Sequence, residues 1–224
     1  MAAARADGAV EKPCASCPPG VAAGTERWPP LTLPLLVIVS GAPGSGKSTL
    51  ARRLAPALGL PLLMRDEFKE TLFDTIQPAD KGDAGSAAAH SAELGRAAYA
   101  LLYTVTRRLL AAGVGAMLES NFYRGLSEPE LTPLLAQTRA VQVHCGGDAD
   151  VIVRRYQQRA ERGERHGGHR DLAVIPRLRE YLAAGRCDPL ALAIPLLRVD
   201  TTAAEPVQYL PAFDAILAFV SHHT

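Results

Sequence analysis

Apolar positions come in blocks along this chain, and the blocks alternate between two lengths. Leu35-Leu36-Val37-Ile38-Val39 is an unbroken apolar run, as expected of a strand buried on both faces. Thr49-Leu50-Ala51-Arg52-Arg53-Leu54-Ala55 follows and reads as the first turns of a helix. The pairing then recurs. Leu62-Leu63-Met64 predicts a second strand, and 66–75 a helix. A long helix is predicted over 87–112, where Leu94, Ala98, Leu101, Leu102, Val105 and Leu109 fall at helical spacing. Between these two helices, 77–86 is a polar, Gly-containing loop. Residues 114–118, 140–145 and 196–200 predict three further strands; 127–137, 149–162, 174–185 and 206–221 predict four further helices. Strands alternating with helices imply a five-stranded parallel sheet covered on both faces, an α/β/α sandwich of three layers. Residues 1–33 are rich in Ala, Pro and Gly and lack periodicity. They predict a disordered extension, with Trp28 placed to pin its end, ahead of one domain at 34–224.

Composition removes several function classes. A chain of 224 residues with 48% hydrophobic content is a globular domain of ordinary size. A net charge of +1 and 5% aromatics argue against a nucleic-acid partner, which wants basic surface and stacking platforms. No apolar run reaches the roughly 18 residues of a membrane span, and no charged-then-apolar leader opens the chain, so a cytoplasmic protein is expected. Cys14 and Cys17 form one isolated Cys-x-x-Cys, a weak zinc signal that reads as two free thiols in the tail. Cys145 ends an apolar strand and reads as a buried small hydrophobe.

The chemistry is concentrated at the strand ends. Gly41-Ala42-Pro43-Gly44-Ser45-Gly46-Lys47-Ser48 matches G-x-x-x-x-G-K-[ST] between a predicted strand and a predicted helix, the setting a phosphate-binding P-loop requires. Its glycines let the backbone wrap a phosphate chain. Its amides and the helix N-terminus, from Gly41 through Thr49, point at anionic oxygen. Lys47 places a charge at the β/γ-phosphates, and the Ser48 hydroxyl suits Mg²⁺. After the second strand comes Arg65-Asp66-Glu67-Phe68-Lys69. Asp66 is a candidate general base for an acceptor hydroxyl, competing with a helix N-cap role, and Lys69 lies one turn further on. After the third strand comes Glu119-Ser120-Asn121-Phe122, with Glu119 a candidate for holding Mg²⁺ through water and Asn121 for binding substrate. Arg155, Arg159 and Arg162 recur at i, i+4, i+7, and Gly163, Gly167 and Gly168 follow. This predicts a helical lid that brings Arg159 and Arg162 to a transferring phosphoryl group. His166 and His169 read as positional within that lid rather than as zinc ligands. Asp200-Thr201-Thr202 ends the fifth strand, either bordering an adenine site or capping the last helix.

Taken together, these segments resemble the P-loop kinases of the AAA-type ATPase group. That group includes the polynucleotide 5′-hydroxyl kinase domain and is related to zeta toxins and chloramphenicol phosphotransferases. The resemblance covers about residues 35–202. It implies a nucleoside-kinase-like P-loop NTPase fold using ATP and Mg²⁺. Arg65-Asp66 matches an Arg-Asp pair whose Asp is the general base in the polynucleotide kinases, and Glu119-Ser120-Asn121 stands where they carry Asp-Thr-Asn. Lys69 stands where they carry an Arg for a substrate phosphate, and Lys reads phosphate less specifically. The expected activity is therefore transfer of the γ-phosphoryl of ATP to a hydroxyl of a small molecule, with 77–93 and the long helix shaping the acceptor pocket. The alternatives are a 5′-hydroxyl nucleic-acid kinase and an ATP-hydrolysing switch with no acceptor.

Overall fold

The apolar run near the head of the chain becomes the middle of the sheet. The computed structural model describes residues 33–76, 84–163, 166, 171–203 and 210–222. Strand β1 (Leu35–Gly41) has a parallel neighbour on each side, so Leu36, Val37, Ile38 and Val39 are completely buried. β2 (Leu62–Met64), β3 (Ala116–Glu119), β4 (Arg139–Gly146) and β5 (Leu196–Asp200) complete an all-parallel sheet in the order β2-β3-β1-β4-β5. Helices cover both faces, as the pattern predicts. The expected extension, with Cys14, Cys17 and Trp28, and most of the 77–86 loop lie outside the described residues.

Alternation along the strands assigns the two faces. Val37, Val39, Val141, Val143 and Val199 pack with Leu50, Ala51 and Leu54 of α1 (Lys47–Ala57) and with Ile216 and Val220 of α7 (Leu210–His222). Leu36, Ile38 and Leu118 point the other way. They meet Leu102 of α3 (Ala84–Ala111) and Leu131 and Leu134 of α4 (Glu128–Leu135). A third cluster joins Ala42 to Ile152, Val153 and Tyr156 of α5 (Ala149–Glu161) and Leu178 of α6 (Asp171–Ala183). It ties the two helices to the P-loop. Between β2 and α3, α2 (Arg65–Thr75) starts with no intervening loop.

Some boundaries differ from the sequence pattern. α3 begins at Ala84, so Gly85 and Ser86 are helical despite their turn character, carried by the alanine-rich segment that follows. β3 starts at Ala116 rather than 114, because Val114 remains 42% exposed and Gly115 only there comes against the β1 backbone. α7 is described from Leu210 onward, and 206–209 lie outside the described residues. The Asp200 carboxylate accepts from the Thr202 amide at 2.8 Å, and Thr201 donates to the Gly146 carbonyl at 2.9 Å.

Candidate active site

The P-loop leaves β1 through backbone that only glycine adopts easily: Gly41, Gly44 and Gly46 have φ of 145°, 86° and 78°. Two of them also touch backbone that leaves no room for a side chain. A Cβ on Gly41 would strike the carbonyl oxygen of Cys145, which pairs with it across β1 and β4. A Cβ on Gly44 would lie 2.8 Å from the Ile152 carbonyl oxygen in α5. The loop is thereby clamped between the sheet and α5, with Lys47 and Ser48 opening α1. Its amides lie at a helix N-terminus whose cap residue, Gly46, makes no side-chain cap bond.

Register then carries Glu119 into contact. β3 pairs with β1 so that Glu119 lies opposite Val39, two residues before the loop. Its carboxylate accepts from Ser48 Oγ at 3.2 Å and stands 3.6 Å from Lys47 Nζ. Burial pushes the Glu119 carboxyl above its usual range, and the Lys47 charge pulls it back part of the way. A buried carboxylate beside a serine hydroxyl offers hard oxygen donors with unspent negative charge, which suits Mg²⁺. Ser48 and Glu119 are the residues that would hold it. The next residues divide their work: Ser120 Oγ bonds Tyr99 Oη at 2.9 Å, and Asn121 lines the cleft. Phe122 has φ 31°, unusual for a non-glycine residue, and its ring is buried beneath the site.

Asp66 lies in the first turn of α2, and the cap position is Met64, which forms no side-chain cap bond. The capping role that competes with base chemistry for Asp66 is therefore not the one taken. Arg65 Nη1 donates to Asp66 Oδ1 at 2.9 Å. The Arg65 guanidinium in turn lies 5.0 Å over the Tyr99 ring, and a Cβ on Gly95 would be 2.9 Å from Arg65 Nη2. Tyr99 and Gly95, both on α3, thus form a slot that holds Arg65 and through it Asp66. Sequence reading passes over both; the one available signal is a glycine inside a helical run.

A cleft of about 340 Å³ collects Pro43, Lys47, Ser48, Asp66, Asn121, Arg159 and His166, along with Arg52, Met64, Glu67 and Glu70. The Arg159 guanidinium lies 5.5 Å from the Tyr156 ring and reaches the cleft from α5. His166 Nε2 meets Asp74 Oδ1 at 3.0 Å, and its ring stands edge-on to Phe73, so this residue reaches the end of α2. Other candidates go elsewhere. Lys69 is buried and donates to Ser91 Oγ at 2.9 Å, joining α2 to α3, and does not line the cleft. Arg162 is the exposed C-cap of α5. Arg155 donates to the carbonyl oxygens of Thr201, Thr202 and Ala203, so it fastens α5 to the segment after β5 instead of sharing the Arg159 face. His169 lies outside the described residues.

Known proteins agree with this geometry at the level of family. The AAA domain family model matches residues 36–184. The chain is 34% identical to a solved structure of a provisionally named kinase from Chloroflexus aurantiacus j-10-fl, with a TM-score of 0.70, covering 86% of this chain and all of that one. It is 40% identical over 89 residues to a shikimate kinase of Salinispora tropica, covering 38% of this chain and 49% of that enzyme. It is 32% identical over 126 residues to one of Rhodopseudomonas palustris, covering 56% of each. The chain thus spans about half the length of the curated relatives it matches. With the family model matching residues 36–184 and the P-loop facing Asp66 across one cleft, the chain belongs to the AAA domain family and is a kinase-like P-loop protein.

Proposed function

We propose that this protein is an ATP-dependent kinase that transfers the γ-phosphoryl group to a hydroxyl of a small molecule. The observation that carries the reading is the single cleft in which a phosphate-holding lysine, an acid positioned by its own arginine and an arginine from a third element meet: Lys47, Asp66 and Arg159. The P-loop amides and Lys47 hold the β- and γ-phosphates. Asp66 accepts the proton of the acceptor hydroxyl as its oxygen bonds to the γ-phosphorus. The bond from that phosphorus to the β,γ-bridging oxygen breaks, and ADP leaves with the electron pair. Arg159 and Lys47 balance the charge that spreads over the transferring group. Ser48 and Glu119 would hold Mg²⁺, which would supply positive charge against the phosphate oxygens. Asn121 is placed to orient the acceptor.

The cleft's other carboxylates bear on the acceptor. Glu67 and Glu70 stand on the same helix as Asp66 and line the same space. They alternate there with Arg52, which pairs with Glu67 at 3.4 Å, and with Lys47 and Arg159, so the cleft is of mixed charge and of a size for a small molecule rather than a basic channel for a phosphate-rich strand. The names of the relatives, shikimate kinases, also point to small hydroxylated acceptors. The test is ADP release from ATP and Mg²⁺ across nucleosides, sugars, hydroxy acids, aminoglycosides and 5′-hydroxyl oligonucleotides, with mass analysis of the stimulated acceptor. One class should raise turnover well above the water background and gain a phosphate. Asp66→Asn should lower that stimulated rate by roughly 10²–10⁴-fold. Slow hydrolysis that no acceptor stimulates, and that Asp66→Asn leaves unchanged, would instead describe a switch.

A further inference from the structure

The carboxyl ends of β4 and β5 frame a second cavity, of about 370 Å³, which shares no lining residue with the cleft. Strand register builds its polar side. Buried His144 on β4 lies directly beside Arg198 on β5, an exposed residue of the edge strand, and both line the cavity. Ile152, Leu182 and Pro189 supply apolar wall. The two acids of the lining are engaged. Asp188 stands 3.8 Å from Arg124, and Asp200 accepts from the Thr202 amide at 2.8 Å. Arg198 has no ion pair or hydrogen bond among the described residues.

The state of His144 follows from the groups behind it. The Gln142 amide is best satisfied with Oε1 accepting from the Leu190 amide at 2.8 Å and from Ser40 Oγ at 3.1 Å, while Nε2 donates to the Leu190 carbonyl at 3.2 Å. The Ser40 proton is then committed to Gln142. Ser40 Oγ in turn accepts from His144 Nδ1–H at 3.1 Å. That tautomer leaves a lone pair on Nε2. Burial and then the Arg198 charge hold the ring neutral against a smaller opposing pull from Asp188, with its pKa lowered to about 4. The cavity therefore offers one buried, uncharged acceptor beside one exposed, cationic fork of donors.

We propose that this cavity is a second binding site, for a small molecule that carries a carboxylate with an N–H or O–H donor next to it. The carboxylate takes the Arg198 guanidinium, the donor takes His144 Nε2, and an apolar body fills the space against Ile152 and Leu182. The cavity also has the position of an effector site. Its lining residues Cys145 and Ile152 contribute the carbonyls against which Gly41 and Gly44 of the P-loop are packed.

The test is thermal unfolding of the full chain, without nucleotide, in four compounds of one size: mandelate, phenylglycine, phenylacetate and mandelamide. Mandelate or phenylglycine should raise Tm by roughly 3–6 °C at ten times its Kd, and which of them is the stronger identifies the donor as hydroxyl or amine. Phenylacetate, lacking the donor, should bind about tenfold more weakly, and mandelamide, lacking the charge, should give no shift. Arg198→Leu should abolish the effect, with Arg198→Gln as the alternative if the leucine variant associates. Lys47→Met should retain it, which separates this cavity from anion binding at the P-loop. No shift with any compound, a shift that survives loss of Arg198, or one lost in Lys47→Met alone would overturn the proposal. None of these readouts involves phosphoryl transfer, so the outcome is independent of the kinase reading.

Discussion

Arg65 has two jobs that a lysine would not do equally well. Its planar guanidinium slides between Gly95 and the Tyr99 ring while presenting Nη1 to Asp66. A lysine keeps the charge and loses both the stacking and the directed bond. Arg65→Lys is therefore expected to lower acceptor-stimulated kcat by about 10- to 100-fold, the scale of one charge-assisted hydrogen bond. The KM for ATP should stay near the native value in steady-state kinetics. His144 makes a prediction about stability instead. Its folded pKa, lowered to about 4 by burial and by Arg198, lies below the 6.5 of an unfolded histidine. Well above pH 6.5 both states are neutral there and the group has no effect. As pH falls from 6.5 toward 4, the unfolded chain takes up a proton that the folded chain refuses, so stability declines. Urea midpoints at pH 7 and pH 5 should differ less for His144→Gln than for the native chain.

Among the elements, the P-loop depends on supports that are far from it in sequence. Gly41→Ala would place a methyl group against the Cys145 carbonyl oxygen at a φ of 145°, and neither strand can yield because β1 and β4 are paired along seven residues. We expect that variant to lose most of its folded yield, read by circular dichroism and by Tm. Glu119→Gln keeps the shape but takes the counter-charge from buried Lys47, so the unliganded Tm should fall by several degrees while Mg²⁺-dependent turnover collapses. These elements also show what could be read in advance. The strand–loop–helix at 35–55, the Arg65-Asp66 step and the acid after β3 are local patterns, each legible within a few residues of itself. The direction of a side chain on a helix is not. Spacing puts Arg155 on one helical face with Arg159 and Lys69 one turn beyond Asp66, yet Arg155 bonds the carbonyls after β5 and Lys69 crosses to Ser91. The slot for Arg65 needs Gly95 and Tyr99 to arrive from some thirty residues away, and the pairing of His144 with Arg198 depends on β4–β5 register. Long-range pairing of that kind is absent from periodicity.

For the molecule as a whole, the strand order β2-β3-β1-β4-β5 puts the first strand in the centre. Leu36 has no partner until Ala116 on one side and Ala140 on the other, at least eighty residues downstream. A ribosome making this protein therefore holds out a short, mostly apolar strand well before its sheet partners exist to cover it. Nascent chains stalled at residue 112 should be cut readily by protease and should recruit holding chaperones. Chains stalled with residue 200 clear of the exit tunnel should resist digestion. The arrangement that centres the phosphate loop thus makes synthesis, rather than the finished fold, the interval in which this protein is most exposed to aggregation.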